Sequence, residues 1–214
     1  MIFATRIALA AALAVSASGA ALAGPVMQFH STKAHHGAPR GTDRKLGVLY
    51  DQTSNDSGTA FVSQNFEASL SNYDTAAADD FVVPKGQTWN VKEVDVIGAY
   101  FNGYGPNASE DVTFYADDKG KPGKPVKKGS FSNLSGSDDG GSLAISLAKG
   151  VKLKPGHYWV SVVANLDFDT GGEWGWEVQT THEGDDAMYK SGNSGWTDLG
   201  SGDLMFTLKG KAKD

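Results

Sequence analysis

The chain has 214 residues, with 27 glycines, 7 prolines, no cysteine and a formal net charge of −6. The absence of cysteine excludes a disulfide framework, a thiolate zinc site, an iron–sulfur cluster, a cysteine nucleophile and a lipid-modified N-terminal cysteine. Glycine at roughly one residue in eight, against a usual ~7%, favours a turn-rich β chain, and the acidic balance argues against nucleic-acid binding.

Residues 1–23 read as a secretory signal peptide. Arg6 supplies the positive n-region, and Ile7 to Val15 is an apolar h-region too short to cross the ~30 Å hydrocarbon core. Ala21-Leu22-Ala23 fits an A-x-A cleavage site, so the expected location is secreted or periplasmic, with cleavage near Ala23. No later apolar stretch has the length of a membrane span. Residues 24–45 lack apolar periodicity and read as a disordered leader. Its His30, His35 and His36 could capture a transition metal, or be incidental to a solvated tail.

From Leu46 the pattern changes to short apolar runs separated by Gly, Asn, Asp and Ser. Leu46 to Tyr50 is a first strand and Asp51 to Gly58 a loop. Phe61 to Ser71 is ambiguous between helix and strand. Asp79 to Val83 is a strand that stops at Pro84, where Val83-Pro84-Lys85-Gly86 makes a turn. Thr88 to Phe101 is the clearest strand. Trp89 and Val91 share one phase and Val94, Val96, Gly98 and Tyr100 the other, so a β-bulge is expected at Lys92-Glu93. Val112, Phe114 and Ala116 alternate as a half-buried strand, and Asp117 to Pro125 reads as turn or loop. A short strand at Phe131 precedes a loop at 135–142. Leu143, Ile145 and Leu147 alternate, and Val151 and Leu153 lead to a turn at Lys154-Pro155-Gly156-His157. Tyr158 to Ala164 is apolar on both faces, as in a central strand. Trp174, Trp176 and Val178, then Leu204, Phe206 and Leu208, alternate in the last two strands.

About nine or ten strands with turn signals every 8–12 residues indicate an all-β, antiparallel β-sandwich of jelly-roll-like type, with a barrel as the alternative closure. One domain over residues 46–210 is expected, followed by a polar tail at 211–214.

The runs YDQTSNDSG from Tyr50, AADDFVVPKGQTW ending at Trp89, and LKPGHYWVSV from Leu153 carry a resemblance. The chain between Tyr50 and Leu208 resembles bacterial β-sandwich modules of secreted and cell-surface proteins, some of them beside proteases or ahead of a C-terminal sorting anchor. The resemblance implies export and a jelly-roll-like sandwich. It carries over no catalytic or ligand residue, and the anchor segment of some relatives has no counterpart here.

Enzyme signatures are sparse. His157 and His182 are the histidines of the folded part, and neither belongs to an H-E-x-x-H motif. Ser194, in Gly192-Asn193-Ser194-Gly195, only superficially resembles a serine nucleophile, and no G-x-S-x-G elbow exists. A structural calcium ion is the cofactor to expect, if any. Asp167, Asp169 and Glu173 lie on one Gly-bearing loop that could offer hard oxygens, and Asp79 and Asp80 are further candidates. The alternative is that these aspartates cap turns. For ligand binding the candidates are Trp196 and Tyr104, in loop contexts, and Trp174 and Trp176, whose alternation also fits burial in the core. These features lead to an exported, non-catalytic protein that binds an extracellular glycan or surface polymer. The alternatives are a structural or matrix protein without a small ligand, and a hydrolase with an unrecognised site.

Overall fold

The computed structural model describes residues 28–30, 46–200 and 202–214. The expected signal peptide lies outside these residues, as does most of the 24–45 leader. Three leader residues are an exception to the expected disorder: Gln28–His30 form a strand, β1, paired antiparallel with residues 59–61.

The remaining strands follow in chain order: β2 (Gly47–Gln52), β3 (Asp56–Val62), β4 (Gln64–Asn65), β5 (Thr75–Val83), β6 (Thr88–Val96), β7 (Gly98–Phe101), β8 (Ser109–Asp117) and β9 (Pro122–Leu134). Then come β10 (Ser137–Asp139), β11 (Ser142–Leu153), β12 (Gly156–Asn165), β13 (Glu173–Gln179), β14 (Met188–Ser191), β15 (Thr197–Asp198), β16 (Asp203–Leu204) and β17 (Phe206–Lys213). A 3₁₀ turn at Ala68–Tyr73 and the one-turn helix α1 (Phe168–Gly171) are the helical elements among the described residues. The ambiguous segment 61–71 thus resolves into strand, then 3₁₀ turn.

The fold is all-β and mainly antiparallel. A first sheet has the order β10-β11-β6-β17-β2. A second has the order β15-β14-β5-β12-β8-β9, with β4 running parallel to part of β12. These two sheets face each other. Phe81 of β5 reaches across to Trp89 of β6 (6.2 Å between ring centroids), Phe206 of β17 (6.4 Å) and Tyr50 of β2 (6.0 Å). Phe114 from the neighbouring β8 meets it edge-on. One apolar cluster runs through both sheets, so burial between the layers holds the sandwich together.

A third sheet, β1-β3-β13-β16 with β7 also on β13, adjoins the first. Its link is the passage of two strands between sheets, β6 into β7 at Ile97 and β16 into β17 at Met205. Three backbone bonds knit that corner: Ile97 N–H to Met205 O, Glu177 N–H to Ile97 O, and Met205 N–H to Glu177 O.

The expected bulge is present. Against β17, Lys209 pairs with Glu93 but Gly210 pairs with Val91, so Lys92 is the extra residue. It lets Trp89 and Val91 on one side, and Val94 and Val96 on the other, all point into the core. A turn follows β5, one residue later than expected: it spans residues 84–87, with Gly86 at φ +90° and Gln87 N–H donating to Pro84 O. Three polar stretches expected as loops form strands: the end of β2 and the start of β3 within 51–58, the start of β9 at 122–125, and β10 within 135–142.

Candidate functional site

The structure separates the four aromatic candidates. Trp174 and Trp176 are fully buried, and their indole N–H groups donate to the carbonyls of Gly141 (2.7 Å) and Met205 (2.9 Å). Their role as ligand platforms is therefore corrected: β13 is covered on both faces, and both rings are core. Tyr104 is 88% exposed on the β7–β8 loop. Trp196 is half-buried and meets Tyr115 edge-on at 5.7 Å, with the Lys190 ammonium 4.9 Å from its ring centroid.

The calcium candidates do not converge either. Asp167 and Asp169 are exposed on α1 and its N-cap, whereas Glu173 is buried and accepts a hydrogen bond from Asn102 Nδ2 at 2.9 Å. These three carboxylates are not among the groups of described residues whose ligand atoms lie within 4.8 Å of one another. Ser194 Oγ is engaged with its own turn, accepting from Ser191 N–H and donating to Gly195 O.

Two other features lie on the outer face of the second sheet. Along β12, Tyr158, Val160 and Val162 point into the core, so Trp159, Ser161 and Val163 point outward. Register places Trp159 beside Asp80 and Tyr115, Ser161 beside Ala78 and Thr113, and Val163 beside Asp111. The first feature is a groove of about 340 Å³ over the polar part of this face. Asn65, Asp74, Thr113, Ser161 and Lys190 line it, and Tyr115 forms its aromatic wall. Trp159 is sealed at one end of the face by Ala78, Met188, Tyr115 and Trp196.

The second feature is a loop, residues 180–187 between β13 and β14, placed between the folded part's two histidines and a set of aspartates. On one side, His157 Nε2 lies 2.5 Å from Asp80 Oδ2 and 3.9 Å from Asp185 Oδ2, while its Nδ1 lies 3.6 Å from Asp117 Oδ1. On the other side, His182 Nδ1 lies 3.3 Å from Asp186 Oδ1 and 3.4 Å from Asp203 Oδ1. Each trio, Asp80-His157-Asp185 and His182-Asp186-Asp203, has ligand-type atoms within 4.8 Å of one another.

The local sequence explains this approach. Gly184 sits at φ +87°, and a Cβ there would overlap the Asp80 carboxylate. Only glycine lets the loop come close enough for Asp185 N–H to donate to Asp80 Oδ1 at 2.9 Å. Beneath the loop lies the fully buried Asp79. Its Oδ2 accepts from Gln52 Nε2 (2.7 Å) and Leu204 N–H (2.5 Å). Gln52 Oε1 in turn accepts from the Tyr50 hydroxyl.

Burial dominates the electrostatics. It pushes Asp79 well above the usual carboxylate range, and the nearby Asp203 pushes it further. Asp80 is pushed up to about 6 by burial, against the opposing hydrogen bonds from His157 and the Asp185 amide. Asp203 is also raised by burial, against the Glu183 N–H and His182. Three buried carboxylates thus share one corner of the sandwich.

Asp79 and Asp80 are legible as candidates from sequence. The H-E-G-D-D run at 182–186, with His182 and Asp186 four residues apart, is the local signal for the rest. Asp117, His157 and Asp203 carry no such signal, because only the strand order brings them near the loop. No family model, no curated protein and no solved structure matches this chain.

Proposed function

We propose that this is an exported, non-catalytic β-sandwich protein that binds a glycan of an extracellular or surface polymer on the outer face of its second sheet. The groove beside Tyr115 and Trp196 carries this reading. Its neutral lining of Asn65, Thr113 and Ser161, with Asp74 and Lys190 at hand, offers both donors and acceptors to hydroxyl groups. Tyr115, held edge-on by the half-buried Trp196 at the groove's end, supplies apolar surface. Export rests on the order of charge, apolar core and A-x-A site within residues 1–23.

The affinity is weak. A single ring contact contributes about 0.5–1.5 kcal/mol. A millimolar complex needs about 4.1 kcal/mol, so hydrogen bonds from the groove must supply most of it. Repeated units along a polymer would raise the avidity further.

The test is a glycan array probed with the purified protein, followed by titration calorimetry on any hit. Trp196→Ala and Thr113→Val should each weaken binding by about fivefold or more. Absence of binding to every glycan, or binding indifferent to both substitutions, would refute the reading.

A further inference from the structure

We propose that His182, Asp186 and Asp203 form a binding site for one divalent first-row transition ion, of which Zn²⁺ is the probe, and that the ion pins the 180–187 loop to β16.

Three observations carry it. The first is spacing. Zinc holds nitrogen and oxygen ligands about 2.0–2.2 Å away, so tetrahedral ligand atoms stand about 3.4 Å from one another. His182 Nδ1 lies 3.3 Å from Asp186 Oδ1 and 3.4 Å from Asp203 Oδ1. These two separations are too long for good hydrogen bonds and match ligands of one ion, and the three ligand atoms all lie within 4.8 Å of one another.

The second is an orphaned oxygen. Asp203 is fully buried, yet its Oδ1, the atom aimed at His182, has no hydrogen-bond partner. Its Oδ2 is taken by the Glu183 amide, which fixes the carboxylate with Oδ1 toward the loop. A buried acceptor left unpaired is costly, more so when charged, and a bound cation removes that cost.

The third is access and charge. The His182 and Asp186 side chains are 55% and 45% exposed, so the ion has an open approach and room for water as a further ligand. Asp80 and Asp185 form the neighbouring carboxylate group on the other flank of the loop and add to the acidic character of the region.

The neighbouring trio makes a useful contrast. His157 Nε2 and Asp80 Oδ2 are 2.5 Å apart, a direct hydrogen bond, and the other Asp80 oxygen accepts the Asp185 amide. That trio satisfies itself without an ion. The imidazole also separates the ligand classes. Ca²⁺ and Mg²⁺ take all-oxygen sets, whereas an N,O,O set favours Zn²⁺ and its first-row neighbours.

Calorimetry with ZnCl₂ on purified, chelator-treated protein tests the site. His30, His35 and His36 are replaced by alanine in every sample, so leader imidazoles contribute nothing. The expected result is one zinc per chain. His182→Gln and Asp186→Asn, both near half-exposed, should each weaken binding at least about tenfold, with folding checked by circular dichroism. His157→Gln should leave the affinity unchanged. X-ray absorption at the zinc edge, on protein retaining all three ligands, should show an imidazole in a nitrogen–oxygen shell. The proposal is overturned by no saturable zinc binding, by affinity indifferent to both loop substitutions, by loss of binding in His157→Gln alone, or by a shell without imidazole. Calcium binding as tightly as zinc would equally overturn it.

Discussion

Asp95 offers the sharpest test of how burial shapes this fold's stability. It lies on β6 with Glu93, both about 1% exposed, on the face opposite Val94 and Val96. Lys209 of β17 is their cation, with its ammonium 3.1 Å from Glu93 Oε1 and in contact with the Asp95 carboxylate. Burial nevertheless outweighs Lys209 and lifts Asp95 from 3.8 to about 6. A carboxyl group whose folded-state pKa is raised stabilises the fold below its unfolded pKa. It loses that contribution as pH rises through the folded value. Between about pH 4 and about pH 6 the unfolded chain ionises Asp95 first, and folding becomes less favourable. A rise of about two units corresponds to about 3 kcal/mol. Asp95→Asn removes this titration. The unfolding free energy of the variant minus that of the wild type should therefore increase by about 3 kcal/mol from about pH 4 to about pH 8. Urea unfolding followed by tryptophan fluorescence measures it, since Trp89, Trp159, Trp174 and Trp176 are buried. A difference that stays flat across that range would refute the reasoning.

Other perturbations follow from the same packing. Lys209→Met leaves two buried carboxylates without their cation and should cost about 3 kcal/mol at neutral pH by urea unfolding, less in acid; an unchanged midpoint would contradict the ion-pair geometry. Phe81→Ala removes the ring that joins both sheets and should cost about 3–5 kcal/mol in the same assay, with a loss below about 1 kcal/mol counting against the sandwich core. Gly98→Ala would place a Cβ 2.7 Å from Trp174 Nε1 and 2.8 Å from Gly175 O, so about 1–3 kcal/mol of overpacking and a shift in Trp174 emission are expected; a silent substitution would mean the ring is not held there.

The zinc and glycan proposals stand on different residues of one region. The cation site uses the 180–187 loop and β16, and the groove uses β5, β8, β12 and β14. Loss of one function by substitution should leave the other measurable.

Period and phase were enough to read the strands that line the core, because alternation with water on one side writes itself into the order of residues. The bulge at Lys92 is the clearest case: two apolar phases in one run can both reach the core only if an extra residue intervenes. The start of β9 and the whole of β10 escaped that reading. They are polar, and edge positions with backbone pairing hold them without an apolar code. The alternation of Trp174 and Trp176 fitted either a sugar platform or the core; β7 and β16 along one edge of β13, and the Gly141 carbonyl above the indole, placed both rings inside. The histidine–aspartate corner was legible only in part, through the run at 182–186 and the Asp79-Asp80 pair. Asp80, Asp117, His157 and Asp203 are far apart in the chain, and only sheet order and a close glycine turn draw them to one corner. Sequence alone could specify which residues of an apolar strand share a face; which charges become neighbours depends on how the strands are ordered, and long-range pairing decides that.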